Sequence, residues 1–188
     1  QNPDIKSHLL LWTCIMPRRP SEEGLGVDDL GVNLIHEMDK LELGEPARWP
    51  HPDQYWDGLP DWTTQNEWNM VTLYNASDAN LLCTGGEGAG MTAVEAGLCG
   101  VSTVCTDYAA APEYAGPTGI PVKPETLSDG RPAYIIANVP GVRRYLPSVD
   151  GIAKALTKLY NTDREKLAQR TRQWSLRFDW NNIAEQYW

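Results

Sequence analysis

Leu81-Leu82-Cys83-Thr84-Gly85-Gly86-Glu87-Gly88-Ala89-Gly90-Met91-Thr92-Ala93-Val94-Glu95 is the stretch that decides the fold. Apolar residues close a short strand, predicted over Ala79 to Cys83. A turn with four glycines follows, and a helix from Met91 to Cys99 starts at once, with Gly100 as its stop. Strand, glycine-rich turn and helix in this order form the first part of a βαβ unit. The next apolar run, Val101 to Cys105, supplies the second strand. It does not alternate, so both of its faces are expected to be covered, as in a parallel sheet.

The pattern continues outward in both directions. Leu9 to Met16 reads as another doubly covered strand, and Val27 to Leu41 as a helix with Leu30, Leu34 and Met38 four residues apart. Residues 45 to 62 hold four prolines with Trp49, Trp56 and Trp62, and read as a tryptophan-packed loop with room for a short strand at Ala47 to Trp49. Thr64 to Asn75 reads as a helix capped by Thr63 or Thr64. A small helix is predicted from Pro112 to Ala115. Residues 116 to 147 are rich in Pro and Gly, with strand candidates at Gly119 to Val122 and Tyr134 to Ala137. Val149 to Tyr160 is an amphipathic helix. Asp163 caps a second one running through Phe178, and Trp180 to Trp188 forms a third. Strands alternate with helices. This predicts an α/β fold, a Rossmann-like open parallel sheet with helices on both faces, as one domain over residues 1–188.

Charge and composition limit the partners. The 188 residues carry 16 Lys and Arg against 25 Asp and Glu, a net charge of −9. Nucleic acid is excluded as a partner on charge, since phosphate neutralisation needs a basic face. No apolar run reaches about 18 residues, so no transmembrane helix is expected, and no signal peptide is read. Cys14, Cys83, Cys99 and Cys105 have no CxxC spacing and read as buried reduced thiols, which together points to a cytoplasmic protein. His8, His36 and His51 are scattered, so no metal site is expected.

The turn itself suggests chemistry. Glycines let a ligand approach the backbone, and the free N–H groups at the start of the Met91 helix favour an anion, expected here to be a phosphate. The P-loop ending Gly-Lys-Ser/Thr is missing, and GxGxxG is not matched. Such turns also arise from packing alone. Glu87 lies in the turn, and Glu95 lies inside the helix, roughly 6 Å further along its axis. Two readings of this pair stand side by side. The carboxylates flank the anion site and hold vicinal hydroxyls, one a ribose and the other a hexose. Otherwise Glu87 caps the helix and Glu95 is an ordinary surface residue. The small apolar neighbours Thr92, Ala93, Val94, Ala96 and Gly97 are an unusual setting for a surface glutamate.

Glu87-Gly88-Ala89-Gly90-Met91-Thr92-Ala93-Val94-Glu95-Ala96 resembles the E-x7-E motif of family 4 retaining glycosyltransferases of the GT-B fold. Leu73-Tyr74-Asn75-Ala76-Ser77-Asp78-Ala79 is similar to the helix end before that motif. Gly97 to Thr106 resembles the strand after it, Pro112-Glu113 the following turn, and Phe178-Asp179-Trp180 the aromatic motif near the C-terminus. The resemblance is close over residues 64–188 and loose over 1–63.

The resemblance implies the C-terminal, nucleotide-sugar-binding half of a GT-B enzyme, with residues 179–188 as a helix crossing back to the other domain. It implies that Glu95 takes the ribose hydroxyls and that Glu87 touches the donor sugar. Backbone N–H groups of Gly88, Ala89, Gly90, Met91 and Thr92 meet the sugar and phosphates. Arg18, with Arg19 beside it, pairs with the diphosphate. No metal or other cofactor is implied. Two departures stand out: Glu23 occupies the place of the family's lysine, and Ala109-Ala110 the place of a glycine pair. The family's acceptor domain is not matched by this sequence. The chain by itself is therefore expected to bind a donor, to catalyse little, and to need an acceptor domain or subunit; the acceptor is not legible. A second reading is a non-catalytic nucleotide-sugar-binding or structural module on the same fold.

Overall fold

The protein is described by a computed structural model, which covers residues 9–10, 40, 47–48, 70–136 and 141–187. The chain divides into two compact units, Gln1–Asn69 and Met70–Trp188. In the first, β1 (Leu9–Leu10) and β2 (Ala47–Arg48) pair in parallel, with Leu9 opposite Ala47 and Leu10 opposite Arg48. β1 falls in the predicted Leu9 to Met16 strand, β2 in the stretch read as a loop with room for a short strand at Ala47 to Trp49, and Lys40 is helical inside the predicted Val27 to Leu41 helix. Arg18, Arg19, Glu23, Cys14 and the predicted caps Thr63 and Thr64 lie outside the described residues.

The second unit is a mixed α/β structure. Helix α1 (Met70–Asn75) leads into β3 (Asn80–Leu82), α2 (Met91–Leu98), β4 (Thr103–Thr106), α3 (Ala111–Ala115) and β5 (Ile120–Val122). The three strands form a parallel sheet in the order β3-β4-β5. All four residues of β4 are buried, as its lack of alternation predicts. On one face Cys105 packs with Leu82, Ala93, Ala111 and Ala115. On the other, Val104 packs with Val122 and Ala155, flanked by Ile152, Leu156 and Leu159. Full burial of a side chain such as Val104 contributes about 1.5–3 kcal/mol. Two of the buried polar neighbours are satisfied locally: Ser102 Oγ donates to Thr118 O at 2.6 Å, and Asn80 Nδ2 donates to Thr103 Oγ1 at 3.1 Å.

Helix α4 (Val149–Tyr160) covers the Val104 face, and its Ser148 cap accepts from Gly151 N at 3.3 Å. Helix α5 (Arg164–Ser175) follows, capped as predicted by Asp163, whose Oδ1 accepts from Lys166 N at 3.2 Å. The predicted helix through Phe178 ends earlier, and Leu176–Phe178 tighten into a 3-10 turn. Helix α6 (Trp180–Tyr187) closes the described chain, and Trp180 at its start is 81% exposed. Helix α2 lies close against α5. A Cβ on Gly97 would stand 2.0 Å from Ser175 Oγ and 3.1 Å from Ser175 Cβ.

One element differs from the sequence reading. β6 (Tyr134–Ile136) and β7 (Arg143–Tyr145) pair as an antiparallel hairpin. The first strand was expected, and the second falls in the stretch read as Pro/Gly-rich loop. Arg-Arg-Tyr has no apolar run to announce it, so its pairing partner creates the strand. Among the described residues no helix is long and apolar enough to cross a membrane.

Candidate functional site

The glycine turn leaves the C-terminal end of β3, and Asp107 to Ala110 leave the C-terminal end of β4. Parallel neighbours bring these two segments together, and Ala110 N donates to Glu87 O at 3.2 Å. In open parallel sheets this edge is where ligands bind. The structure also orders the glycines by purpose. A Cβ on Gly85 would stand 2.7 Å from Arg144 Cβ. One on Gly90, whose φ is +24°, would meet Tyr114 Cβ at 3.3 Å and Leu82 Cδ2 at 3.4 Å. Those two serve packing. At Gly86 and Gly88 nothing among the described residues lies within 4 Å, and neither has a positive φ. Neither packing nor backbone shape calls for glycine there, so the space over them is open to a ligand.

Gly90 caps α2 without any side-chain bond. The capping role open to Glu87 on sequence is therefore not taken. Glu87 is half-buried, and its carbonyl oxygen ties the two turns. The first-turn N–H groups of Met91 and Thr92 have no intrahelical partner and carry the positive end of the helix dipole. Met91 and Thr92 are exposed, as are Gly88 and Ala89.

Glu95 is exposed on α2. Its small apolar neighbours have another cause: Ala93, Val94, Ala96 and Gly97 are buried and let the sheet and α5 approach closely. The carboxylate is still engaged, because the buried Tyr74 donates its hydroxyl to Glu95 Oε2 at 3.0 Å. Burial pushes the Tyr74 phenol well above its ordinary value, and the charge of Glu95 and this bond push it further. Tyr74 is thus a permanent donor, and Oε1 of Glu95 remains for a second partner.

Ala109 is the only non-glycine residue with positive φ among those described, at 56°. It stands in the turn beside Glu87, since the next residue, Ala110, donates its N–H to Glu87 O. The left-handed conformation costs an alanine roughly 1–2 kcal/mol. Tyr108 packs against Tyr145 with ring centroids 4.4 Å apart and the rings tilted by 55°, and Tyr145 N donates to Gly85 O at 3.1 Å. The hairpin therefore lies against the glycine turn. Sequence reasoning missed this contribution, although Pro140-Gly141 between Tyr134-Ile135-Ile136 and Arg143-Arg144-Tyr145 is a hairpin signal.

A separate cavity of about 520 Å³ lies between β5 and α4, lined by Val122, Lys123, Glu125, Asp150, Lys154 and others. It shares no residue with the glycine turn. Its lining mixes both signs of charge, and the turn with its open glycines is the better candidate. Of the described thiols, Cys105 is buried and Cys83 and Cys99 are half-buried, all free. Among the described residues no cluster of His, Cys, Asp and Glu is fit to hold a metal ion.

Set against known protein families, curated proteins and solved structures, the chain matches none of them.

Proposed function

We propose that residues 70–188 form the donor-binding part of a retaining glycosyltransferase of the GT-B kind, which takes a nucleotide-diphosphate sugar. One observation carries this reading: the open backbone at Gly86 and Gly88, either side of Glu87 and just ahead of the α2 N-terminus. The diphosphate sits on the N–H groups of Gly88 to Thr92. Glu95, held by Tyr74, accepts from vicinal ribose hydroxyls, and Glu87 accepts from the sugar. In transfer, the bond from the anomeric carbon to the diphosphate oxygen breaks, and the electron pair leaves with the diphosphate. Donors around that oxygen lower the barrier most where charge builds up. Arg18 and Arg19 are proposed for this from the sequence. The acceptor hydroxyl, supplied by another domain or subunit, then attacks the same face of the sugar and gives its proton to the departing diphosphate oxygen.

The test is a thermal shift of the chain with UDP-, GDP- and ADP-sugars, beside Glu95→Ala. Ligand at 100 times its Kd stabilises by about 2.7 kcal/mol. For a chain of this size that is several degrees, at roughly 2–4 °C per kcal/mol. A shift with one nucleotide, lost in Glu95→Ala, supports the reading. No shift in a folded sample overturns it in favour of a non-catalytic module, the reading that Glu23 in place of lysine favours.

A further inference from the structure

The anion site proposed above sits in acidic surroundings. Glu87 and the exposed Asp107 stand on the turns that form it, and Glu95 stands on the helix that follows, in a chain of net charge −9. A phosphate there needs a cation nearby. Two hydroxyl oxygens at the same strand ends, Thr84 Oγ1 before Gly85 and Thr106 Oγ1 at the end of β4, are buried and have no partner among the described residues. Buried polar atoms of this kind call for a ligand or a water.

Strand β7, which meets the glycine turn at Gly85, carries two arginines, and it uses them differently. Side chains alternate along β7, so Arg143 and Tyr145 share one face and Arg144 takes the other. The first face is occupied. The Arg143 guanidinium lies 4.8 Å over the Tyr134 ring, and Tyr145 packs on Tyr134 and Tyr108. Arg144 is exposed and has no ion pair among the described residues. Its Cβ touches the place where Gly85 lacks one, so the side chain is rooted directly on the glycine turn. The backbone bond from Tyr145 N to Gly85 O holds that root in register.

We infer that Arg144, presented by the β6–β7 hairpin, is a further cation, beyond the arginines proposed from the sequence, that pairs with the phosphate of the ligand at the Gly85–Thr92 turn. The inference rests on the nucleotide-sugar reading. Gly85 is then glycine so that the hairpin can reach the turn, and the tyrosine cluster with Arg143 sets the hairpin's position. A guanidinium suits a phosphate because it donates two parallel bonds in one plane.

The test measures binding of UDP, GDP and ADP to the full chain and to Arg144→Gln, Arg144→Lys and Arg131→Gln at two salt concentrations. Arg131 is the control. It lies in the same region, and its charge is already met by Asp129 at 2.6 Å. Arg144→Gln is expected to weaken binding of the preferred diphosphate about fivefold to tenfold and to flatten its salt dependence. Arg144→Lys keeps part of the affinity, and Arg131→Gln matches the wild type. Wild-type affinity in Arg144→Gln overturns the assignment and leaves the nucleotide-sugar reading standing. Equal weakening in Arg131→Gln reduces the effect to net charge and also overturns it. A folded wild type that binds none of the three diphosphates overturns both.

Discussion

The Tyr74 hydroxyl meets Glu95 Oε2 at 3.0 Å, across 21 residues of sequence, and so couples α1 to the middle of α2. The donor is buried and the acceptor exposed. A carboxylate on a helix surface samples several rotamers, and a fixed donor from beneath restricts it. Tyr74→Phe removes that donor and keeps the ring. The expected result is a loss of about 1 kcal/mol in stability. Nucleotide affinity is expected to fall several-fold with the base preference unchanged, read by titration calorimetry. Unchanged affinity would separate Glu95 positioning from Tyr74.

Ala109 holds a left-handed backbone at φ 56°. Glycine relieves a strain of roughly 1–2 kcal/mol, and its extra freedom in the unfolded chain costs about 0.5–1 kcal/mol. Ala109→Gly should therefore stabilise the protein by about 0.5 kcal/mol, a rise of 1–2 °C at roughly 2–4 °C per kcal/mol. A lower melting temperature would show that the turn relies on the alanine methyl.

Gly97→Ala pits two effects against each other. Helix propensity gains about 1 kcal/mol, while overpacking costs typically 1–3 kcal/mol. A Cβ 2.0 Å from Ser175 Oγ and 3.1 Å from its Cβ places this site at the costly end. The net expectation is destabilisation by about 1–2 kcal/mol, partly recovered in Gly97→Ala/Ser175→Ala, as seen by urea denaturation. A stabilised single variant would refute the close α2–α5 contact.

Burial pushes the Cys105 thiol up to about 11 from an ordinary 9.0, with the charges of Cys83 and Asp107 adding to it. The native state therefore keeps a proton that the unfolded chain releases. The associated stability is whole below pH 9 and is lost as pH rises toward 11. At pH 8 an alkylating reagent should leave Cys105 unmodified in the folded protein and label it in denaturant, as mass spectrometry of the peptides would show. Rapid native labelling would contradict the burial.

Much of the second unit was legible because hydrophobic runs and caps are local signals. The uninterrupted Val101 to Cys105 run foretold a strand covered on both faces, and the structure buries Thr103–Thr106 completely. Asp163 was readable as a cap because an N-cap acts on the N–H three residues later. The hairpin was less legible. Arg143-Arg144-Tyr145 becomes a strand through pairing with Tyr134-Ile135-Ile136, and pairing across a turn is not written in either segment alone. The setting of Glu95 was misleading for a similar reason. Its small neighbours answer to other elements: Gly97 to Ser175 and Thr171, Ala93 to Leu82 and Cys105, and Ala96 to Tyr74 and Val101.

The sequence by itself determined the order of strand, glycine turn and helix, and placed Glu87 and Glu95 around the helix start, because spacing along one helix is fixed by its geometry. Only the tertiary structure decided which glycines are bare for packing and which face open space. Only it joined Tyr74 to Glu95 and laid Arg144 on Gly85. These depend on which elements become neighbours, and that is settled by burying the sheet and its helices together, whatever the distance along the chain.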